Sequence, residues 1–131
     1  LLTGAEVGFR DLEKCQKTIA TAGRGHARSR LKSLQSCRKS LDRGKALSFA
    51  NDAPLSDPGD CPAEARTITK LAATGIKTRN KIANACSDAL LGTLAATCAT
   101  TVDALVAPGG TAGCLVIGHD ADVDSVLDAL H

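Results

Sequence analysis

Six cysteines, at positions 15, 37, 61, 86, 98 and 114, constrain what this chain can fold into more than any other feature. The first and third intervals, Cys15 to Cys37 and Cys61 to Cys86, hold amphipathic, helix-like sequence. On helices they cover about 33 Å and 37 Å at 1.5 Å per residue. A disulfide requires Cα atoms within about 7 Å, so neither pair bonds within its own helix. An antiparallel hairpin solves the problem. It brings Cys37 to Cys61 at the loop end and Cys15 to Cys86 at the open end. The mismatch of about 4 Å is absorbed because Cys61 lies at the edge of its helix. Cys98 and Cys114 are left to pair and close the C-terminal segment. The expected fold is all-α: a long hairpin stapled by Cys15–Cys86 and Cys37–Cys61, plus a small helical segment closed by Cys98–Cys114.

Such staples answer a need set by composition. The chain has two Phe and no Trp, Tyr or Met, so its core is built mostly from Ala, Leu, Val and Ile. Each buried side chain then contributes less than an aromatic would, and small cores of this kind depend on covalent support. No C-x-x-C occurs, which removes the usual zinc-knuckle, ferredoxin, thioredoxin and c-type haem spacings. Disulfides in turn imply an oxidising, periplasmic or extracellular location. The start LLTGAEVGFR reads as a mature form whose leader has been removed, and no run of about 18 apolar residues suggests a membrane span.

Periodicity supports the helices. Leu12, Cys15, Ile19, Ala22 and His26 recur every three or four residues, and Leu31, Leu34, Cys37 or Arg38, and Leu41 continue the row with a small phase shift to a stop at Gly44. The first helix is expected from Glu6 or Arg10 to Arg43, followed by a Pro/Gly/Asp-rich loop over 44–60. The second starts at Pro62, with Glu64 in its first turn. Its apolar row is Ile68, Leu71, Ala72, Gly75, Ile76, Ile82, Ala83 and Cys86. The hairpin register sets Gly25 against Gly75. Residues 87–98, 100–107 and 118–131 read as shorter helices. The last is expected to be capped by His119 or Asp120, with Val123, Val126, Leu127 and Leu130 on one face. One domain over 1–131 is expected, divided into an N-terminal arm (1–9), the hairpin (10–86) and the short-helix segment (87–131).

This pattern over residues 15–86 resembles the α-hairpinins, whose helix pairs are stapled in the same way; the likeness is one of spacing. CQKTIATAG, LKSLQSCRKSL, KIANAC and TTVDALVA…CLV…DALH resemble an uncharacterised family of secreted, cysteine-rich, all-helical bacterial proteins along nearly the whole chain. That family often carries a second cysteine shortly after the one matching Cys114, where this chain has Ile117 or its neighbours. The resemblance implies secretion and a helical fold and brings no activity.

Charge is strongly segregated. Residues 1–45 carry a net +7, residues 46–86 a net +1, and residues 87–131 a net −6 with no Lys or Arg. Lys14, Lys17, Arg24, Arg28, Arg30, Lys32, Arg38, Lys39 and Arg43 form a candidate basic surface, and Asp120, Asp122, Asp124 and Asp128 a candidate acidic one. Asp120, Asp122 and Asp124 alternate like the start of a calcium loop, but Ser125 stands where the loop needs Gly and His131 where it needs Glu. No metal site, catalytic residue or cofactor is therefore expected. His26 reads as a hydrogen-bonded histidine at a helix interface. No nucleotide-binding, hydrolase or metalloprotease motif is present, so an enzyme or metal carrier ranks last among the functions.

The leading expectation is a non-catalytic secreted structural protein. It would associate head to tail into filaments or a surface layer through its unlike ends, with Leu1, Leu2, Val7 and Phe9 as a docking arm. The alternative is a monomeric module binding an anionic glycan or lipid through the basic helix. Sequence-specific nucleic-acid recognition is not expected, because aromatic residues for base stacking are missing.

Overall fold

A computed structural model of the protein describes residues 4–94 and 98–130. Five α-helices follow in order: α1 (Gly4–Asp42), α2 (Ala65–Ala85), α3 (Asp88–Thr93), α4 (Val102–Leu105) and α5 (Cys114–Leu130). A 3-10 turn over Pro58–Ala63 precedes α2, and no extended strand occurs among the described residues. The fold is all-α and disulfide-stapled. The pairs are Cys15–Cys86, Cys37–Cys61 and Cys98–Cys114, with Cα separations of 5.0, 5.8 and 6.1 Å. In the chain-entropy picture the first staple contributes about 4 kcal/mol and the other two about 3 kcal/mol each.

α1 begins at Gly4, so residues 4–9 of the expected arm are helical. Leu1 and Leu2, and the side chains of Val7 and Leu130, lie outside the described residues; Phe9 is exposed. α1 ends as expected at Gly44, which adopts the left-handed conformation at φ +69°. There the Lys45 N–H donates to Ser40 O at 2.8 Å and the Gly44 N–H to Leu41 O at 3.0 Å. These two bonds satisfy carbonyls that the helix end would leave open.

The start of α2 differs from expectation. Pro62 belongs to the 3-10 turn, and Glu64 is the N-cap rather than a first-turn residue. Its buried carboxylate accepts hydrogen bonds from the backbone N–H groups of Arg66 (2.8 Å) and Thr67 (3.1 Å) and from the Thr67 hydroxyl (2.9 Å). The α2 stripe is also narrower than its apolar row. Thr67, Leu71, Gly75, Thr78 and Ile82 are buried, while Ile76 and Ala83 are exposed.

Two apolar clusters hold the molecule. One surrounds Cys15–Cys86 with Ala22, Ile82, Leu91, Leu105 and Val116. The other surrounds Cys37–Cys61 with Leu34, Val123 and Leu127. α5 starts at Cys114, earlier than expected, so neither His119 nor Asp120 caps it. Val123 and Leu127 face inward, whereas Val126 is exposed.

Gly25 does not meet Gly75. A Cβ built on Gly75 would lie 1.7 Å from Gly110 O, while one built on Gly25 meets nothing within 4 Å. The turn between α4 and α5 therefore rests directly on the α2 backbone. Gly110, at φ +81°, takes a conformation that L side chains rarely adopt.

Gly75→Ala is expected to lose roughly 2–3 kcal/mol by overpacking. Gly25→Ala should gain about 0.5–1 kcal/mol from helix propensity. Denaturant unfolding with the disulfides intact checks both, and equal effects would contradict this packing. Cys98 is exposed and Cys114 half-buried, whereas the other four cysteines are buried. Mild reduction followed by alkylation and mass mapping is expected to label Cys98 and Cys114 first.

Candidate anion-binding face

Phase along α1 sorts its charges. At about 100° per residue, Arg10, Lys14, Lys17, Arg24, Arg28, Lys32 and Lys39 fall within a sector about 80° wide. All seven are exposed. From Lys14 to Leu41 the helix carries no Asp or Glu, so the row is uncompensated along its own helix for most of its length of about 44 Å. The buried residues Cys15, Ala22, His26, Ser33 and Cys37 occupy the opposite side. Arg43, just past the helix end, is exposed as well. Arg10 is an addition to the surface expected from sequence.

Two of the expected surface cations are elsewhere. Arg30 is only 9% exposed and is not part of the basic surface. Its Nε donates to Asp124 Oδ1 at 3.1 Å and its Nη2 to Asp124 Oδ2 at 3.0 Å, a bidentate pair. Its Nη1 lies 3.5 Å from Asp120 Oδ2. Arg38 is half-buried and lines a cleft of about 160 Å³ that also contains Asp124 and Asp128. The cause is phase: Arg30 is two residues, about 200°, from both Arg28 and Lys32.

His26 is buried, and its Nε2 lies 2.9 Å from Asp120 Oδ1, which is the interface role expected of it. The His26–Asp120 and Arg30–Asp124 pairs share a separation of 94 residues. α5 therefore runs parallel to α1, and the two helices match His26 and Arg30 to Asp120 and Asp124, four residues apart on each. His119 lies over Gly23, where a Cβ would come 2.5 Å from its Nε2; the small residue makes room for the ring. Asp120 and Asp124 thus belong to an internal contact, while Asp122 and Asp128 are exposed. This ladder was missed in the sequence, although His26/Arg30 and Asp120/Asp124 carry the same four-residue spacing.

α2 adds to the basic side. It contains no Asp or Glu between Ala65 and Ala85, and Arg66, Lys70, Lys77 and Lys81 are exposed. Arg79 instead pairs with Asp103. On the flank away from α5, a shallow groove of about 470 Å³ runs between α1 and α2. Lys14, Lys17, Thr18 and Thr21 line it from α1, and Lys81, Asn84 and Ala85 from α2.

Among the described residues, no group of three His, Cys, Asp or Glu side chains is placed to hold a metal ion. No described helix is long and apolar enough to cross a membrane. No protein-family model, curated protein or solved structure matches this chain.

Arg30→Ala should cost about 2 kcal/mol, because it removes charged hydrogen bonds at a mostly buried position. The Arg30/Asp124 double-mutant cycle is expected to return a coupling of about 1 kcal/mol. Coupling near zero in urea unfolding would mean that the pair is screened like an exposed one.

Proposed function

We propose that this chain is a non-catalytic, disulfide-hardened binding module of an oxidising, extracellular or periplasmic setting, and that it holds an anionic polymer against the exposed row of α1. One observation carries the reading: seven cations of α1 share one exposed sector, while Asp120 and Asp124, which would otherwise compete for them, are turned to Arg30 and His26. A polymer with regularly spaced negative charge gains several such contacts along one rigid helix, and releases counterions as it binds. The three disulfides support the oxidising setting.

Head-to-tail assembly through unlike charge is the competing reading. It has less support, because part of the acidic segment is already neutralised within its own chain. Its remaining basis is the exposed Asp122 and Asp128 together with the exposed Phe9.

Heparin-agarose retention tests the proposal. Wild-type protein is expected to require clearly more salt for elution than an Arg24→Glu/Arg28→Glu/Lys32→Glu variant, with circular dichroism unchanged. All three positions are exposed, so the fold should tolerate the reversal. Elution of both at the same salt would refute the reading. Light scattering that grows at low salt without any polyanion would favour assembly instead.

A further inference from the structure

The groove between the open ends of α1 and α2 differs from the rest of the basic face. Lys14, Lys17 and Lys81 converge there from two helices, and no carboxylate is among its lining residues. Thr18, Thr21, Asn84, Ala22 and Ala85 complete the lining. The groove is shallow and open to solvent, with a volume of about 470 Å³, so it can seat one face of a ligand rather than enclose it. The Cys15–Cys86 disulfide lies next in sequence to Lys14 and to Ala85. It fixes the backbone distance between the two rims, so the ordering cost left for binding is that of the lysine side chains.

From this arrangement we propose that the groove is a subsite for an acidic sugar unit, a sulfated or uronic-acid residue within a linear glycan. The inference rests on the anion-binding reading above and names the ligand and its seat. The three ammonium groups match sulfate or carboxylate substituents. The two hydroxyls and the amide match the neutral hydroxyls of the sugar, which a bare inorganic anion lacks. A lipid surface fits less well: the lining holds no large apolar side chain to enter a bilayer beside the cations. Single-stranded nucleic acid would want aromatic platforms, and the lining has none.

The test is a titration of the intact, oxidised protein with a heparin-derived hexasaccharide, followed by amide NMR shifts and calorimetry. Shifts are expected at residues 14–21 and 81–86. Lys81→Ala and Asn84→Ala should each weaken binding, the first roughly ten-fold, as for a lost charged hydrogen bond. Lys45→Ala, an exposed cation outside both the row and the groove, should leave the affinity within about two-fold. The desulfated hexasaccharide should bind far more weakly. Equal shifts from inorganic sulfate at matched concentration would overturn the subsite, since only bare charge would then be recognised. So would binding to phosphatidylglycerol vesicles, or to double-stranded DNA, with none to the hexasaccharide. Heparin retention that persists while Lys81→Ala and Asn84→Ala bind like wild type would overturn the groove alone. Absence of retention in the wild type would overturn the anion-binding reading itself.

Discussion

The two staples between α1 and α2 are the constraint on which the rest of the molecule depends. They join helices that electrostatics would separate: α2 carries no acid along its length, and α1 none between Lys14 and Leu41. Like charges four residues apart, such as Arg24, Arg28 and Lys32, disfavour each helix by a few tenths of a kcal/mol per pair. Lys14 and Lys17 also face Lys81 across the groove. The apolar clusters offset this with Val, Leu, Ile, Ala and the disulfide cysteines. Covalent closure of the hairpin, worth several kcal/mol, lets the cations stay together without neutralising partners. A basic face is tolerable here because the fold does not depend on it.

The hairpin was legible in the sequence because it follows from a length. Helical rise multiplied by the cysteine intervals leaves one antiparallel solution, and both staples formed accordingly. Gly44 was legible because only a small residue adopts its left-handed backbone without strain. The basic surface was legible in residue type but not in direction. Counting cations along α1 gathered Arg30 and Arg38 with the rest, whereas their phase at 100° per residue sets them toward α5. That information was in the sequence and needed only to be read as an angle.

Other features were beyond such reading for physical reasons. Aspartates near a glycine and a histidine look like a helix start, since acids favour the positive end of the helix dipole. α5 nevertheless begins at Cys114, because Asp120 and Asp124 are used as partners for another helix in mid-length. The role of Gly75 was hidden for a similar reason. Its neighbour is the carbonyl of Gly110, in a turn without periodicity, and nothing local announces where such a turn will rest. Glu64 became a cap because the preceding 3-10 turn spends Pro62 before α2 begins.

The parallel α1–α5 ladder has a consequence for how the chain meets other charged molecules. Its formal net charge is only +2, so beyond a Debye length of about 8 Å it attracts polyanions weakly. Close to α1 the field is different, because the charges that would cancel the row are distributed elsewhere. Asp120 and Asp124 are matched to Arg30 and His26, and Asp103 to Arg79. On the anion-binding reading proposed above, a polyanion gains little from proximity and much from alignment with the row. Total charge would favour any acidic partner equally. A segregated charge on a rigid, stapled helix favours those whose own charges are arranged in a line.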